Sequence, residues 1–346
     1  MAPITVDLYS DTRTKPTAAM RRAMAEAEVG DEQVFEDPEV NDLCAEVAAL
    51  LGKEAAVFLP SGTMCNEIAI CVHCRRGEEV LLDRTAHPIQ AEAGGPAAWA
   101  GVVLTPLDGD RGVFTGEQLA ARIRTTNRHA PRSRLVSVEQ TANLAGGTVW
   151  PLERLQDVAA VARRHGLLLH LDGARLANAV VASGVPAATH CAAFDSCWID
   201  FSKGLGAPVG AVLAGSAAFV AEAWRYKQMI GGAMRQAGVL AAACRYALRH
   251  HWDRLAEDHA NARRLAEGLA ELPGLRLETD EPATNIVFLE VTRPDLDARG
   301  FVERLAAYGV RMGAMGPRRV RAVTHLDVDR AGIERVIAAV RAVLAA

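Results

Sequence analysis

The sequence is poor in aromatic residues, at 5%, and nearly balanced in charge: 38 Lys and Arg against 42 Asp and Glu give −4 over 346 residues. Because the two signs are interspersed, no field is concentrated enough to draw in nucleic acid or an anionic membrane surface. The N-terminus carries neither a basic leader nor an apolar run behind it, so nothing marks the chain for export and a cytoplasmic protein is expected. The seven cysteines (Cys44, Cys65, Cys71, Cys74, Cys191, Cys197, Cys244) are an odd number among apolar neighbours, which argues against a disulfide framework and for reduced core thiols. One uncharged stretch of 18 residues, Gly204 to Ala221, has the length of a membrane span. Four glycines, Pro208 and Ser216 break it up, and Val209 to Leu213 reads as a short buried strand between turns. Nucleotide motifs are missing too. Gly204-Leu-Gly206-Ala-Pro-Val-Gly210 has its third glycine one position too late for a dinucleotide fingerprint, and no phosphate-loop pattern occurs.

What is present is a soluble, globular composition, 50% apolar and 23% charged, with a length that suggests two domains. Short runs rich in Val, Leu and Ile recur at Ala55 to Leu59, Val80 to Leu82, Val102 to Leu104, Leu135 to Val138, Leu167 to Leu171, Cys197 to Phe201 and Val209 to Leu213. Helical patterns separate most of them; after Pro151, the residues Leu155, Val158, Ala159 and Ala162 form one apolar stripe. This alternation implies an α/β fold with a mostly parallel sheet covered on both faces. From about Leu275 the pattern changes to strands at Leu275 to Leu277 and Ile286 to Leu289, a helix near Leu296 to Tyr308, a strand ending at Thr324 and a final helix behind a cap at Asp329. A large domain over residues 1–250 and a small α+β domain over 251–346 are expected, with Met229 to about Gly268 helical between them.

Lys203 follows the apolar run Trp198, Ile199, Phe201, and Asp200 is the one carboxylate near it in sequence. If the site is buried, its amine is available as a nucleophile for Schiff-base formation; the plainer alternative is a strand-end lysine reaching back to water or to Asp200. Asp172 ends the run Leu167 to Leu171, where the carboxyl ends of parallel strands place ligand groups. It could face a protonated ring nitrogen while Arg175 holds a substrate carboxylate, or the two could form a purely structural ion pair. Ser61-Gly62-Thr63 opens a helix after Ala55 to Leu59 and could cradle a phosphate, or be an ordinary cap. His87 could stack on a planar ring or be an idle loop histidine. Cys71-Val-His73-Cys74 has redox-like spacing but reads as core thiols in an apolar helix, His250-His251 and Arg263-Arg264 as solvated helix faces, and no metal site is expected.

Taken in order, Asp7-Leu-Tyr-Ser10-Asp-Thr, Val29-Gly-Asp31, Glu36-Asp-Pro38, Leu59-Pro-Ser61-Gly-Thr63, His87 with Glu92-Ala-Gly-Gly95, Leu171-Asp-Gly-Ala-Arg175, Phe201-Ser-Lys203-Gly-Leu-Gly, Met234-Arg-Gln-Ala-Gly238 and Val323-Thr-His-Leu-Asp327 resemble the low-specificity L-threonine aldolases. These belong to the β-eliminating-lyase branch of the aspartate-aminotransferase-like, fold type I enzymes that use pyridoxal 5'-phosphate (PLP). The resemblance implies Lys203 as the imine-forming lysine, Asp172 as partner of the pyridine nitrogen and His87 as the group stacked on the ring. It implies Gly62, Thr63 and, from a neighbouring subunit, Arg235 on the phosphate, and Ser10, Arg175 and Arg321 on the substrate carboxylate. The expected assembly is a homotetramer, a dimer of dimers with shared active sites, cleaving L-threonine, allo-threonine or a related β-hydroxy-α-amino acid to glycine and an aldehyde. The alternatives are β-elimination, racemisation or transamination with the same cofactor, or a non-catalytic ligand-binding relative on the same fold.

The sequence departs from the family at the substrate end. The common Glu-Asn-Thr-His-Asn run reads Glu139-Gln-Thr-Ala142-Asn143, so the proton acceptor for the β-hydroxyl is left to His87 or to a water. Tyr9, Val34 or Phe35, and Gln228 stand where other residues are usual. Ala142, Tyr9 and Phe35 are expected to make that end less polar and to suit a larger β-substituent, as in β-phenylserine.

Overall fold

The computed structural model describes residues 3–125 and 127–345. Seven strands form the main sheet, in the spatial order Ala55–Leu59, Ala211–Gly215, Ser196–Asp200, Leu168–Asp172, Ser133–Glu139, Glu79–Asp83 and Val103–Leu107. Ala211–Gly215 runs antiparallel to both neighbours and the other adjacent pairs are parallel, so the sheet is mostly parallel, as the strand and helix alternation implies. Helices cover it on both faces, as a sheet made of continuous apolar strands requires.

Of the main-sheet strands Ala55–Leu59 keeps its expected limits; Leu167 to Leu171 is displaced by one residue, and Val80 to Leu82, Val102 to Leu104 and Leu135 to Val138 are shifted or extended. Cys197 to Phe201 is displaced by one residue and Val209 to Leu213 by two, because the register pairs Ser196 with Gly215 and Asp200 with Ala211. Gly210, at φ +127°, turns the chain just before Ala211, and a side chain there would meet the Cys244 sulfur at 2.7 Å. The helical stretch expected from Met229 is two helices, Gly238–His250 and Leu255–Ala270, after a break in which Gly231 takes φ +78°.

A second sheet is antiparallel, in the order Gly313–Ala314, Arg319–Val323, Ile286–Val291, Leu275–Leu277. Its buried residues Val287, Leu289, Val320 and Ala322 share an apolar cluster with Leu265 and Leu269 from Leu255–Ala270 and Ile333, Val336 and Val340 from Arg330–Ala345. The final helix starts as expected, with the Asp329 carboxylate accepting from the Gly332 amide at 2.7 Å. Val6 and Leu8 lie in the same cluster, and Val6–Asp7 pairs in parallel with Val310–Arg311, so the N-terminal strand packs with the C-terminal elements.

Four adjacent parallel strands end in an acid: Asp83, Glu139, Asp172 and Asp200. Parallel strands bring their carboxyl ends to one edge of the sheet. The fold thus concentrates negative charge there, and Glu139 lies directly across from Asp172 in the register.

Candidate active site

A cavity of about 630 Å³ opens at that edge and is lined by residues of both sheets. Eight of the nine expected site residues line it: Ser10, Gly62, Thr63, His87, Asp172, Arg175, Lys203 and Arg321. The ninth, Arg235, lies outside the cavity of its own chain, with an Nη1 to Asp31 contact of 2.8 Å and a mostly exposed side chain.

Asp172 is buried at the end of its strand, where Oδ2 accepts from Asn66 Nδ2 at 2.8 Å and Oδ1 from the Ala174 amide at 3.0 Å. Arg175 does not pair with it. The Arg175 guanidinium instead makes a two-pronged bond to Asp11, Nε to Oδ2 at 2.7 Å and Nη2 to Oδ1 at 2.8 Å, both side chains buried. That leaves Asp172 with no ion-pair partner among the described residues, and burial pushes its carboxyl above the usual range. Arg175, at the foot of Leu176–Ser183, is turned by Asp11 of the N-terminal segment toward the cavity.

Lys203 meets Asp200 as an ion pair three residues back, and its amine lies 5.6 Å from the centre of the Trp198 ring. The plainer reading of this lysine therefore describes its contact, although the side chain, 19% exposed, lines the cavity. Trp198 is boxed in by two glycines. A side chain at Gly62 would approach its ring to 2.2 Å, and one at Gly173 would approach its carbonyl oxygen to 1.8 Å. Both positions thus need the absence of a Cβ, Gly62 for the helix start to close on the indole and Gly173 for the Asp172 loop to pass the Trp198 backbone.

The helix Gly62–His73 begins with Ser61 Oγ accepting from the Met64 amide at 3.2 Å, an N-terminal cap with Gly62 and Thr63 on the cavity wall. Its dipole is positive there and suits an anion. His87 opens a short helix. Its backbone amide donates to Glu139 Oε2 at 2.7 Å and its Nδ1 contacts Glu92 Oε1 at 2.8 Å, which raises the imidazole's affinity for a proton. Glu139 also accepts from the Asn143 amide at 2.7 Å, and burial beside Asp172 pushes it up to about 7.

Arg321 enters from the second sheet, with Nη1 on Asn143 Oδ1 at 3.1 Å and Nη2 on the Tyr9 carbonyl at 3.3 Å. Its Nε is buried without a hydrogen-bond partner among the described residues, and burial followed by repulsion from Arg175 lowers its pKa. Ser10 is buried and accepts from the Thr12 amide at 3.2 Å. Among the described residues Asp172 thus has no paired cation and Arg321 no paired anion.

The expected apolar substituents do not line this cavity within one chain. Ala142 is buried behind it in a bridge to Thr148, facing Gly112; Phe35 is 63% exposed in a left-handed turn, its ring edge on Trp224; Tyr9 is 48% exposed. Ala91, Leu144 and Met315 supply the apolar lining instead. His251 also departs from expectation, being buried with Nδ1 2.7 Å from the Leu205 carbonyl. Cys71 and Cys74 are buried free thiols, pushed up to about 11 and about 12 by burial, and His73 sits against Ser196 Oγ at 2.7 Å. Among the described residues no group of three or more His, Cys, Asp or Glu is placed to hold a metal, and no helix is long and apolar enough to cross a membrane.

Sequence reasoning missed Asn66 and Glu67 and read Asp11 and Glu92 only as parts of motifs. An Asn-Glu pair inside the otherwise apolar helix Gly62–His73 was the available signal, since buried polar groups demand partners.

The β-eliminating lyase family profile matches residues 7–293. The low specificity L-threonine aldolase of Escherichia coli K12 is 42% identical over 341 residues, covering 98% of this chain and 99% of that one. Low-specificity L-threonine aldolase 1 of Arabidopsis thaliana is 40% identical over 333 residues, covering 95% and 93%. Among solved structures, threonine aldolase of Leishmania major superposes with a TM-score of 0.84 at 21% identity, over 98% of this chain and 99% of that one. A structure of SPT with its PLP internal aldimine superposes with 0.75 at 20% identity, over 98% and 87%. These likenesses establish the α/β fold type I architecture.

Proposed function

The chain belongs to the β-eliminating lyase family and, within it, to the low-specificity L-threonine aldolases, and from that membership we propose that it is a PLP-dependent carbon–carbon lyase that splits L-threonine, L-allo-threonine and related β-hydroxy-α-amino acids into glycine and an aldehyde. One observation carries the reading. The cavity joins the Lys203 amine, a buried carboxylate at Asp172 with no paired cation among the described residues, and a half-buried arginine at Arg321 whose buried Nε has no partner among them.

The residues fit the cofactor. Asp172 would offset a protonated pyridine nitrogen, Lys203 would be the attachment point, His87 would lie on the ring, and Gly62 and Thr63 would receive the phosphate at the helix start. When bound, PLP supplies an electron sink for the pair released from a bond at Cα. Arg175, held by Asp11, and Arg321 with Ser10 fix the substrate carboxylate and so select which bond at Cα is turned toward that sink. In the cleavage the β-hydroxyl gives up its proton, the Cα–Cβ bond breaks with its pair left on the Cα side, the C–O bond becomes the carbonyl of the aldehyde, and Cα takes up a proton to give glycine. With Ala142 buried away from the cavity, His87 is the histidine on its wall. Glu92 occupies Nδ1, leaving Nε2 to take that proton.

The proposal includes a cytoplasmic homotetramer, a dimer of dimers in which Arg235 of one subunit reaches the phosphate of another. The support is its position outside its own cavity, with a mostly exposed side chain that touches Asp31. It also includes the division into a large domain over 1–250 and a small one over 251–346.

The test is a panel of resolved threonine, allo-threonine and β-phenylserine stereoisomers with glycine and aldehyde measured in equal amounts. A keto acid and ammonia, or racemised substrate without glycine, would assign the same site to a different reaction.

A further inference from the structure

Behind His87, Glu92 is backed by a second buried carboxyl group, Glu67, that the chemistry above does not use. Glu92, buried, presents Oε1 to His87 Nδ1 at 2.8 Å and to Asn66 Nδ2 at 2.7 Å, while its Oε2 is buried with no partner among the described residues. Glu67, one position beyond Asn66 on Gly62–His73, is 96% buried, and both of its oxygens lack partners as well. The backbone at Gly95 closes over it, since a side chain there would come within 2.0 Å of Glu67 Oε1. Two buried carboxylates with no cation between them among the described residues cannot both be ionised cheaply; one shared proton pairs Glu92 Oε2 with an oxygen of Glu67.

We propose that Glu67 carries this proton and donates it to Glu92 Oε2, so that one negative charge rests on the pair and Glu92 is free to hold the Nδ1 proton of His87. The chain Glu67, Glu92, His87 then fixes the tautomer in which Nε2 faces the cavity as an acceptor. Burial first, then the Glu92 charge, pushes Glu67 up to about 8, consistent with a protonated acid at neutral pH. The groups facing the chain are Asp172 and Glu139 on the His87 side, and Cys71 one turn along from Glu67. Glu67 touches neither substrate nor cofactor in this arrangement and is a positioning residue. Its catalytic consequence rests on the aldolase reading.

The test titrates the His87 ring by NMR in the cofactor-free protein, with the signal assigned by its absence in H87N, for wild type, E67Q and E67L. Wild type is expected to show the imidazole midpoint and, at higher pH, a second inflection as the pair gives up its shared proton. E67Q, which keeps an N–H donor that cannot ionise, should lose the second inflection. E67L, which strips the donor, should raise the midpoint by about one unit, because Glu92 then faces His87 with its full charge. In the loaded enzyme the acid limb of kcat should move with that midpoint while KM stays within about twofold. Superimposable His87 curves for wild type and E67Q would overturn the proposal, even if E67L does not fold. Curves that move in a protein that cleaves no β-hydroxy amino acid would keep the proton chain and sink the aldolase reading instead.

Discussion

The two walls of the cavity are built with opposite charges and answer burial differently. On the sheet wall, Asp172 and Glu139 are buried acids whose donors are amides and an asparagine, and burial raises both. Against them, Arg175, carried on the same sheet edge with its guanidinium drawn to Asp11 of the N-terminal segment, is matched two-to-two, while Arg321 of the second sheet keeps a buried Nε without a partner among the described residues. A residue whose buried charge is fully met is fixed in place; one left unmet is stabilised by whatever ligand brings the opposite charge. The unmet demand is thus for a cation at Asp172 and an anion at Arg321. A protonated pyridine and a substrate carboxylate supply those two.

The largest effect should come from the junction of the walls. Lys203→Ala removes the attachment point for the cofactor. It is expected to abolish the imine absorption and lower turnover by at least about a thousandfold while far-UV circular dichroism and subunit assembly stay near normal. Unchanged activity in that variant would show that the cavity works without this amine.

Next in size is the matched pair. Asp11→Ala leaves Arg175 as an uncompensated buried charge, and a loss of about 3–5 kcal/mol in stability is expected from denaturant midpoints. The Asp11 carboxyl sits well below its ordinary value of 3.8 despite the opposing cost of burial, held there by Arg175. A carboxyl depressed in the folded state contributes stability above its unfolded value and loses it as pH falls through the acid range. Wild type should lose this part of its stability below about pH 4, and Asp11→Asn should show a flatter decline. Equal slopes for the two would mean the pair is not the acid-sensitive element.

Much of this contrast was legible in the sequence, and the illegible part has a physical reason. Lys203, Asp172, Gly62 and His87 stand where apolar runs stop, and strand ends of a parallel sheet share one edge, so local pattern alone gathers them. Asp11 and Arg175 are 164 positions apart in the chain, and no periodicity connects them. Whether Arg175 answers Asp172 or Asp11 depends on how the N-terminal segment folds back over the second sheet. The substrate end misled for a related reason. Ala142 and Phe35 were read as lining because they replace residues at motif positions, but one is turned inward by its bridge to Thr148 and the other outward by a left-handed turn.

The unmet arginine predicts a smaller, cleaner change. Arg321→Ala removes one arm of the carboxylate clamp, and KM for threonine should rise about tenfold to a hundredfold, the scale of one charged hydrogen bond, with the cofactor still bound by its absorption. Loss of the cofactor in this variant would move Arg321 to the phosphate or to a structural role.

The smallest effect is a shift along the pH axis. His87 has its proton affinity raised, chiefly by the bond to Glu92 and next by the nearby Asp172 charge, against a burial cost that acts the other way. If Nε2 takes the β-hydroxyl proton, the imidazole must be neutral in the resting enzyme, so the acid limb of kcat/KM should fall with a midpoint above the ordinary 6.5. Glu92→Gln removes that charge and should move the limb to lower pH by about one unit. Because the neutral form then exists at more acidic pH but is a weaker base, the plateau should drop by a few-fold even as the limb moves down. A limb that keeps its midpoint in Glu92→Gln would assign the proton to a water and leave His87 to the ring alone.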